Sequence, residues 1–108
     1  MRVLVAGGAG FIGAHVCREL LDRGHEVLCL DNLSTGRIEN IGEIEAHPRF
    51  TFVREDVTRT PFMTVDLILH LASRASPVHY KANPIETMLA NSAGTHRLLA
   101  LAADRGAR

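Results

Sequence analysis

A short apolar run that stops on glycine constrains this chain more than any other feature. Arg2-Val3-Leu4-Val5-Ala6 reads as a strand buried on both faces of a parallel sheet, and Gly7-Gly8-Ala9-Gly10-Phe11-Ile12-Gly13 follows at once. Gly7, Gly10 and Gly13 let the chain turn sharply, let backbone approach a pyrophosphate, and let a helix pack closely on the strand. The unpaired N–H groups at the helix start then face phosphate charge. Nucleotide binding is the expectation, with a merely structural glycine turn as the alternative.

The rest of the chain continues the alternation. From Phe11 to Arg23 the positions Ile12, Val16, Cys17, Leu20 and Leu21 recur at helical spacing, and Gly24 stands where a helix C-cap belongs. A second strand, Glu26 to Leu30, ends at Asp31; Asn32 to Gly36 reads as a loop, and Arg37 to about Glu45 as a short helix. Phe50 to Val53 is a third strand, ending near Asp56, and Leu67 to Leu71 a fourth. Asn83 as N-cap, Pro84 in the first turn and Glu86 three after the cap start a helix running to about Arg105, closed by Gly106. Ile85, Leu89, Ala93, Leu99 and Ala103 fall near one face of it.

This order predicts an α/β fold: a Rossmann-type doubly wound parallel sheet with the first and fourth strands side by side. A chain of 108 residues has room for one core. It stops where a fifth strand should begin, so the sheet is expected to be truncated after the fourth strand and its following helix. Residues 1–108 then form the N-terminal part of an NAD-binding Rossmann domain, with no second domain.

Asp31, at the tip of the second strand, can accept both adenosine ribose hydroxyls and would repel a 2′-phosphate; Asn32 rather than Arg follows it. The cofactor read from these residues is NAD rather than NADP. A turn aspartate is the alternative. Asp56, ending the third strand, either binds the adenine amino group or is an ordinary strand-end acid. His70, within an apolar strand, reads as a satisfied core histidine, and the other histidines show no metal spacing. Cys17 and Cys29 read as small apolar fillers. Twelve basic and twelve acidic side chains cancel, which removes the electrostatic reason to expect nucleic acid or an anionic membrane as partner. No apolar run approaches the ~20 residues of a membrane span, and no signal-like segment is visible, so a cytoplasmic protein is expected.

Val5 to Gly13 together with Asp31-Asn32-Leu33-Ser34-Thr35-Gly36-Arg37 resembles the extended short-chain dehydrogenase/reductase family of nucleotide-sugar enzymes (the NAD-dependent epimerases and dehydratases). Within it, His70-Leu71-Ala72-Ser73, Ala75-Ser76-Pro77, Tyr80, Asn83-Pro84-Ile85, Thr87, Asn91 and Gly94-Thr95 resemble the UDP-glucuronate decarboxylases. The resemblance implies that Gly7, Gly10, Phe11, Ile12 and Gly13 line the pyrophosphate. It puts Asp31 and Asn32 on the ribose, Thr35 and Gly36 on the adenosine phosphate side, and Asp56 and Val57 around the adenine. Leu71, Ala72 and Ser73 would run beneath the pyrophosphate and nicotinamide ribose, with Ala75 and Tyr80 bordering the sugar nucleotide. Three positions depart from the pattern. Ala6 stands for a usual Thr, Arg74 for a usual Pro, and Leu89-Ala90 for Lys-Thr, whose Lys reaches the substrate in the decarboxylases. That loss of a cation bears on the substrate more than on the cofactor.

The implied activity is a lyase reaction on UDP-glucuronate: oxidation at C4, loss of carbon dioxide, and re-reduction to UDP-xylose, by an enzyme that is a possible homodimer at full length. Such chemistry needs a Tyr four residues before a Lys. This chain has one tyrosine, Tyr80, and one lysine, Lys81, side by side. No catalytic residue is therefore assigned, and the chain alone is expected to be inactive. A fragment of a sugar-nucleotide 4-epimerase or 4,6-dehydratase is the neighbouring alternative. A non-catalytic NAD-binding module is the third, weakened by the bare edge expected on the fourth strand.

Overall fold

The computed structural model describes residues 1–34, 36–72 and 84–108. Four strands, β1 (Arg2–Ala6), β2 (Glu26–Asp31), β3 (Phe50–Arg54) and β4 (Leu67–His70), form one parallel sheet in the order β3-β2-β1-β4. Among the described residues three α-helices accompany them: α1 (Phe11–Asp22), α2 (Pro84–Asn91) and α3 (Ala93–Arg105). The chain has the α/β, Rossmann-like sheet that its alternating pattern predicts. β1 pairs Val3 with Val27 of β2 on one side and with Leu67 of β4 on the other. The winding reverses between β1 and β4, and sheets of this kind receive ligands at the carboxyl ends of the strands beside that reversal.

Successive side chains of the two inner strands alternate between two buried clusters. Val3, Val5, Val27 and Cys29 pack with Ala14, Cys17 and Leu21 of α1, while Leu4, Ala6, Leu28 and Leu30 pack with Leu98 and Leu101 of α3. Each inner strand is covered on both faces, which is why it reads as an unbroken apolar run. α1 ends as its sequence suggests. The N–H groups of Arg23 and Gly24 bond back to the carbonyls of Glu19 and Leu21, and Gly24 turns the chain at φ +87°.

Two expected helices come out differently. Between Arg37 and Glu45 only a 3₁₀ turn forms, Ile38–Ile41. Ile41 is fully buried and the Asn40 carboxamide bonds to the Ala9 carbonyl, so tertiary contacts shape this segment over a weak local preference. The long helix from Pro84 to Arg105 is broken at Ser92 (φ −114°, ψ −74°). The Ser92 hydroxyl donates to the Met88 carbonyl at 2.6 Å. Asn91, Ser92, Gly94 and Thr95 are all weak helix formers, and Ser/Gly pairs are common kink sites. Gly94 also seats against Val57, whose Cγ1 lies 2.6 Å from where a Cβ would stand.

The break changes which face is covered. The expected stripe of Ile85, Leu89, Ala93, Leu99 and Ala103 is exposed, and Gly94, Leu98 and Leu101 are buried instead. Both stripes have helical spacing; docking against β1, β2 and Val57 selects between them. Among the described residues no helix is long and apolar enough to cross a membrane. The outer edge of β4, expected to be bare, is engaged at one end. Arg108 donates its N–H to the Asp66 carbonyl at 3.1 Å and accepts from the Ile68 N–H at 2.6 Å, the bonding of a parallel ladder.

Candidate functional site

The site begins where β1 ends. Gly7 adopts φ +84°, and its N–H donates to the Leu30 carbonyl at 2.7 Å, which ties the turn to the tip of β2. A Cβ on Gly7 would overlap the Leu71 carbonyl, and one on Gly13 would overlap the Gly7 carbonyl. These two glycines let β1, the exit of β4 and the first turn of α1 meet at backbone distance. Gly10 is the N-cap of α1, with no side chain capping it and no acid in the first turn. The positive end of the helix is therefore left uncompensated, with its first amides lacking intrahelical partners.

Two thiols fill the space under the turn. A Cβ on Gly8 would stand 2.5 Å from Cys29 Sγ and 3.1 Å from Cys17 Sγ. Both cysteines are fully buried, as apolar fillers should be, but they lie together rather than apart. The Cys17 thiol beside it, and then burial, push the Cys29 thiol above its ordinary value. It is a neutral, unreactive thiol at neutral pH.

Asp31 closes the far side of the turn. It is 8% exposed, and its two oxygens accept from Ala9 N–H (Oδ2, 3.0 Å) and Leu33 N–H (Oδ1, 2.7 Å). The turn role and the binding role weighed from the sequence are thus compatible: each oxygen has a further lone pair for a ligand hydroxyl. Asn32 donates from Nδ2 to Asp56 Oδ2 at 3.2 Å and accepts from Ser34 N–H at 3.0 Å. Asp56 in turn caps the 3₁₀ turn Val57–Arg59, with Oδ1 accepting from Thr58 N–H (2.9 Å) and Thr58 Oγ1 (2.6 Å).

The Thr58 hydroxyl is the main influence holding the Asp56 carboxyl below the ordinary aspartate value, against a smaller opposing effect of burial. Thr58 N–H, Asn32 and Arg59 add to the lowering. A carboxyl lowered in the folded state contributes stability above the ordinary value, and that contribution is lost as pH falls through the folded value. Asp56→Ala is expected to cost about 1 kcal/mol at pH 7, the usual worth of such a cap. Urea unfolding of both proteins should show the gap shrinking below pH 4. A gap that holds its size in acid would show that the charge of Asp56 contributes nothing.

Gly7, Gly10, Asp31, Asn32, Ser34, Asp56 and Thr58 border one cavity of about 800 Å³, within the range of small-molecule and cofactor sites. Of the residues expected at a cofactor, Gly7, Gly10, Phe11, Ile12 and Gly13 line its floor. Asp31, Asn32, Asp56 and Val57 line one end, with Leu71 and Ala72 at the exit of β4. Gly36 is not in the lining; it packs behind Asp31, where a Cβ would stand 2.8 Å from Oδ2 and 3.0 Å from the Ala9 carbonyl oxygen. Thr35, Ser73, Arg74, Ala75, Tyr80, Lys81 and Asn83, the expected N-cap, lie outside the described residues.

The residue pattern gave no sign of the remaining wall, although the resemblance put the Leu89-Ala90 position near the substrate. Glu86, Leu89 and Ala90 of α2 face the cavity, as does His70. His70 is half-buried: Nδ1 accepts from Ala72 N–H at 3.4 Å and Nε2 lies 3.1 Å from the Ala90 carbonyl. It is satisfied, as expected, but as a brace between β4 and α2 at the cavity wall rather than within the core. The missing signal is long-range: α2 reaches this wall only through its docking.

A model of the NAD dependent epimerase/dehydratase family matches residues 3–108. The chain belongs to that family. UDP-glucuronic acid decarboxylase 1 of Arabidopsis thaliana is 48% identical over 108 residues, which are 100% of this chain and 25% of that protein. The UDP-glucose 4-epimerase of Thermotoga maritima, solved with UDP-glucose, superposes with a TM-score of 0.84 at 31% identity, covering 99% of this chain and 35% of its own. The epimerase from Stenotrophomonas maltophila, solved with bound NAD and formylated UDP-arabinopyranose, gives 0.83 at 33% identity, covering 100% and 35%. This chain thus spans about a quarter of the curated relative and about a third of the solved ones. NAD is the cofactor of this epimerase/dehydratase family.

Proposed function

We propose that residues 1–108 are the NAD-gripping first part of the Rossmann domain of a nucleotide-sugar enzyme, of the kind that converts UDP-glucuronate to UDP-xylose. One observation carries the cofactor side: the Asp31 carboxylate and the uncompensated start of α1 border the same cavity. The diphosphate lies over Gly7, Gly10 and Gly13 and takes the first amides of α1. Asp31 accepts the ribose hydroxyls, and Asp56 and Val57 border the adenine. Gly10 leaves room for this, since a Cβ there would meet only the Gly7 carbonyl oxygen at 3.4 Å. Bound NAD supplies a hydride acceptor and donor; the chain's own residues bind and orient it. Thr35, Ser73, Ala75 and Tyr80 join the same reading by resemblance, the last two on the sugar nucleotide.

Identity of 48% with a UDP-glucuronic acid decarboxylase, against 31–33% with the solved 4-epimerases, favours UDP-glucuronate as substrate. The departure at Leu89 lies in the cavity wall, where the decarboxylases carry a Lys. That weakens the grip on an anionic sugar and leaves the 4-epimerase or 4,6-dehydratase reading as the alternative. The full-length enzyme is a cytoplasmic homodimer in this reading, and the 108-residue chain, lacking Tyr-x-x-x-Lys, turns over nothing.

Calorimetric titration of the chain with NAD and with NADP tests the cofactor assignment. NAD binds, and NADP binds on the order of 100-fold more weakly, because its 2′-phosphate meets the Asp31 carboxylate. Equal affinities, or no binding of NAD, would overturn the assignment. Carbon dioxide released from UDP-glucuronate by the purified chain would overturn the expected inactivity.

A further inference from the structure

We infer that Asn40 is a positioning residue for the glycine turn, acting on a bound dinucleotide through the peptide groups of Ala9; this rests on the NAD reading above. Ala9 is fully buried in the middle of the turn, and every polar group of its backbone is held. Its N–H donates to Asp31 Oδ2 at 3.0 Å, and its carbonyl accepts from Asn40 Nδ2 at 2.7 Å and from Arg37 N–H at 3.0 Å. Since peptide units are planar, bonds at both ends of Ala9 fix the planes that join it to Gly8 and Gly10. Gly10 is the N-cap of α1, so those planes set where the first helical amides point.

Asn40 is itself immobilised. Its N–H donates to the Arg37 carbonyl at 3.0 Å, and its own carbonyl accepts from Arg18 Nη2 of α1 at 3.0 Å. The next residue, Ile41, is fully buried and anchors the segment in the core. The clamp therefore joins three parts that are distant in sequence: the turn, α1, and the 3₁₀ segment after β2.

The chemistry requires a carboxamide. Alanine would leave the buried Ala9 carbonyl with one donor, the Arg37 N–H. Aspartate has no hydrogen to give and would set a negative charge against that carbonyl oxygen. Asn40→Asp should thus be worse than Asn40→Ala, although it is nearly the same size.

The test measures NAD and adenosine affinity, by calorimetry and by NMR titration, and amide hydrogen exchange of Gly8 to Phe11 without ligand. In Asn40→Ala, NAD affinity is expected to fall about tenfold, the worth of one buried hydrogen bond. Adenosine, which lacks the diphosphate, should change by less than about threefold, and turn amides should exchange about tenfold faster while those of β1 hold. Asn40→Asp should exceed these effects. A parallel loss of both ligands, an unchanged ratio with unchanged exchange, or Asp tolerated as well as Asn would each overturn the inference. If the unmodified chain binds no NAD, it is the cofactor reading that fails. The exchange rates alone then decide whether Asn40 holds the turn.

Discussion

Gly7→Ala is expected to cost about 2–5 kcal/mol, a large share of a domain's stability, whereas Gly24→Ala, at nearly the same backbone angle, costs only about 1–2 kcal/mol. Both glycines have positive φ, +84° and +87°. An alanine in that region is strained by roughly 1–2 kcal/mol wherever it stands. At Gly24 nothing else intervenes, because no atom lies within 4 Å of the added Cβ. At Gly7 the methyl overlaps the carbonyl group of Leu71 and comes within 2.8 Å of the Ala72 nitrogen. Those are backbone atoms at the end of β4 and cannot rotate away. Forcing them apart adds roughly 1–3 kcal/mol, for a total of about 2–5 kcal/mol against the ~5–15 kcal/mol that holds a typical domain together. Urea midpoints of the two variants give the comparison. Equal shifts would mean that the approach of β1 to β4 at Gly7 is not a close one.

Gly10→Val should do the reverse, abolishing NAD binding while leaving the fold nearly intact. Gly10 has φ −73° and ψ 174°, extended backbone open to any residue. A Cβ there touches only the Gly7 carbonyl oxygen, at 3.4 Å, so a loss of less than about 1 kcal/mol is expected, mostly from a poorer N-cap. The branched side chain, however, stands in the cavity in front of the first amides of α1. A diphosphate displaced from two charge-assisted hydrogen bonds loses roughly 1.5–3 kcal/mol for each. Affinity for NAD should fall by more than about 100-fold, as read by calorimetry, with only a small shift of the urea midpoint. Undiminished binding would place the ligand away from the turn and end the proposed mode of binding.

Gly7 and Gly10 also mark how much of the site was legible. A strand, a glycine turn, a helix and an acid at the end of the next strand are local facts, and β1, α1, β2 and Asp31 all stand where the residue pattern put them. Asp31 was readable because a strand tip is located by where its apolar run stops. Asn40 was not, since nothing in Arg37-Ile38-Glu39-Asn40 shows that its carboxamide will meet Ala9 from across a folded loop. His70 was understood as satisfied, but its place in the cavity wall depends on α2. Cys17 and Cys29 read separately as apolar fillers; the closing of α1 onto β2 sets their sulfurs together beneath Gly8.

Local pattern alone determined the class of the fold, the parallel arrangement and the residues of the glycine turn. Those follow from short-range sterics: apolar runs that must be buried on both faces, and glycines where no Cβ fits. Only the tertiary structure decided that the helix after β4 breaks at Ser92, and that Leu98 and Leu101 rather than Leu99 meet the sheet. It alone decided that Asn32 and Asp56 hold each other at one end of the cavity. Two helical stripes of similar spacing are nearly degenerate in isolation, and a side-chain hydrogen bond between distant residues has no signature in either one. The packing of the whole chain breaks such ties.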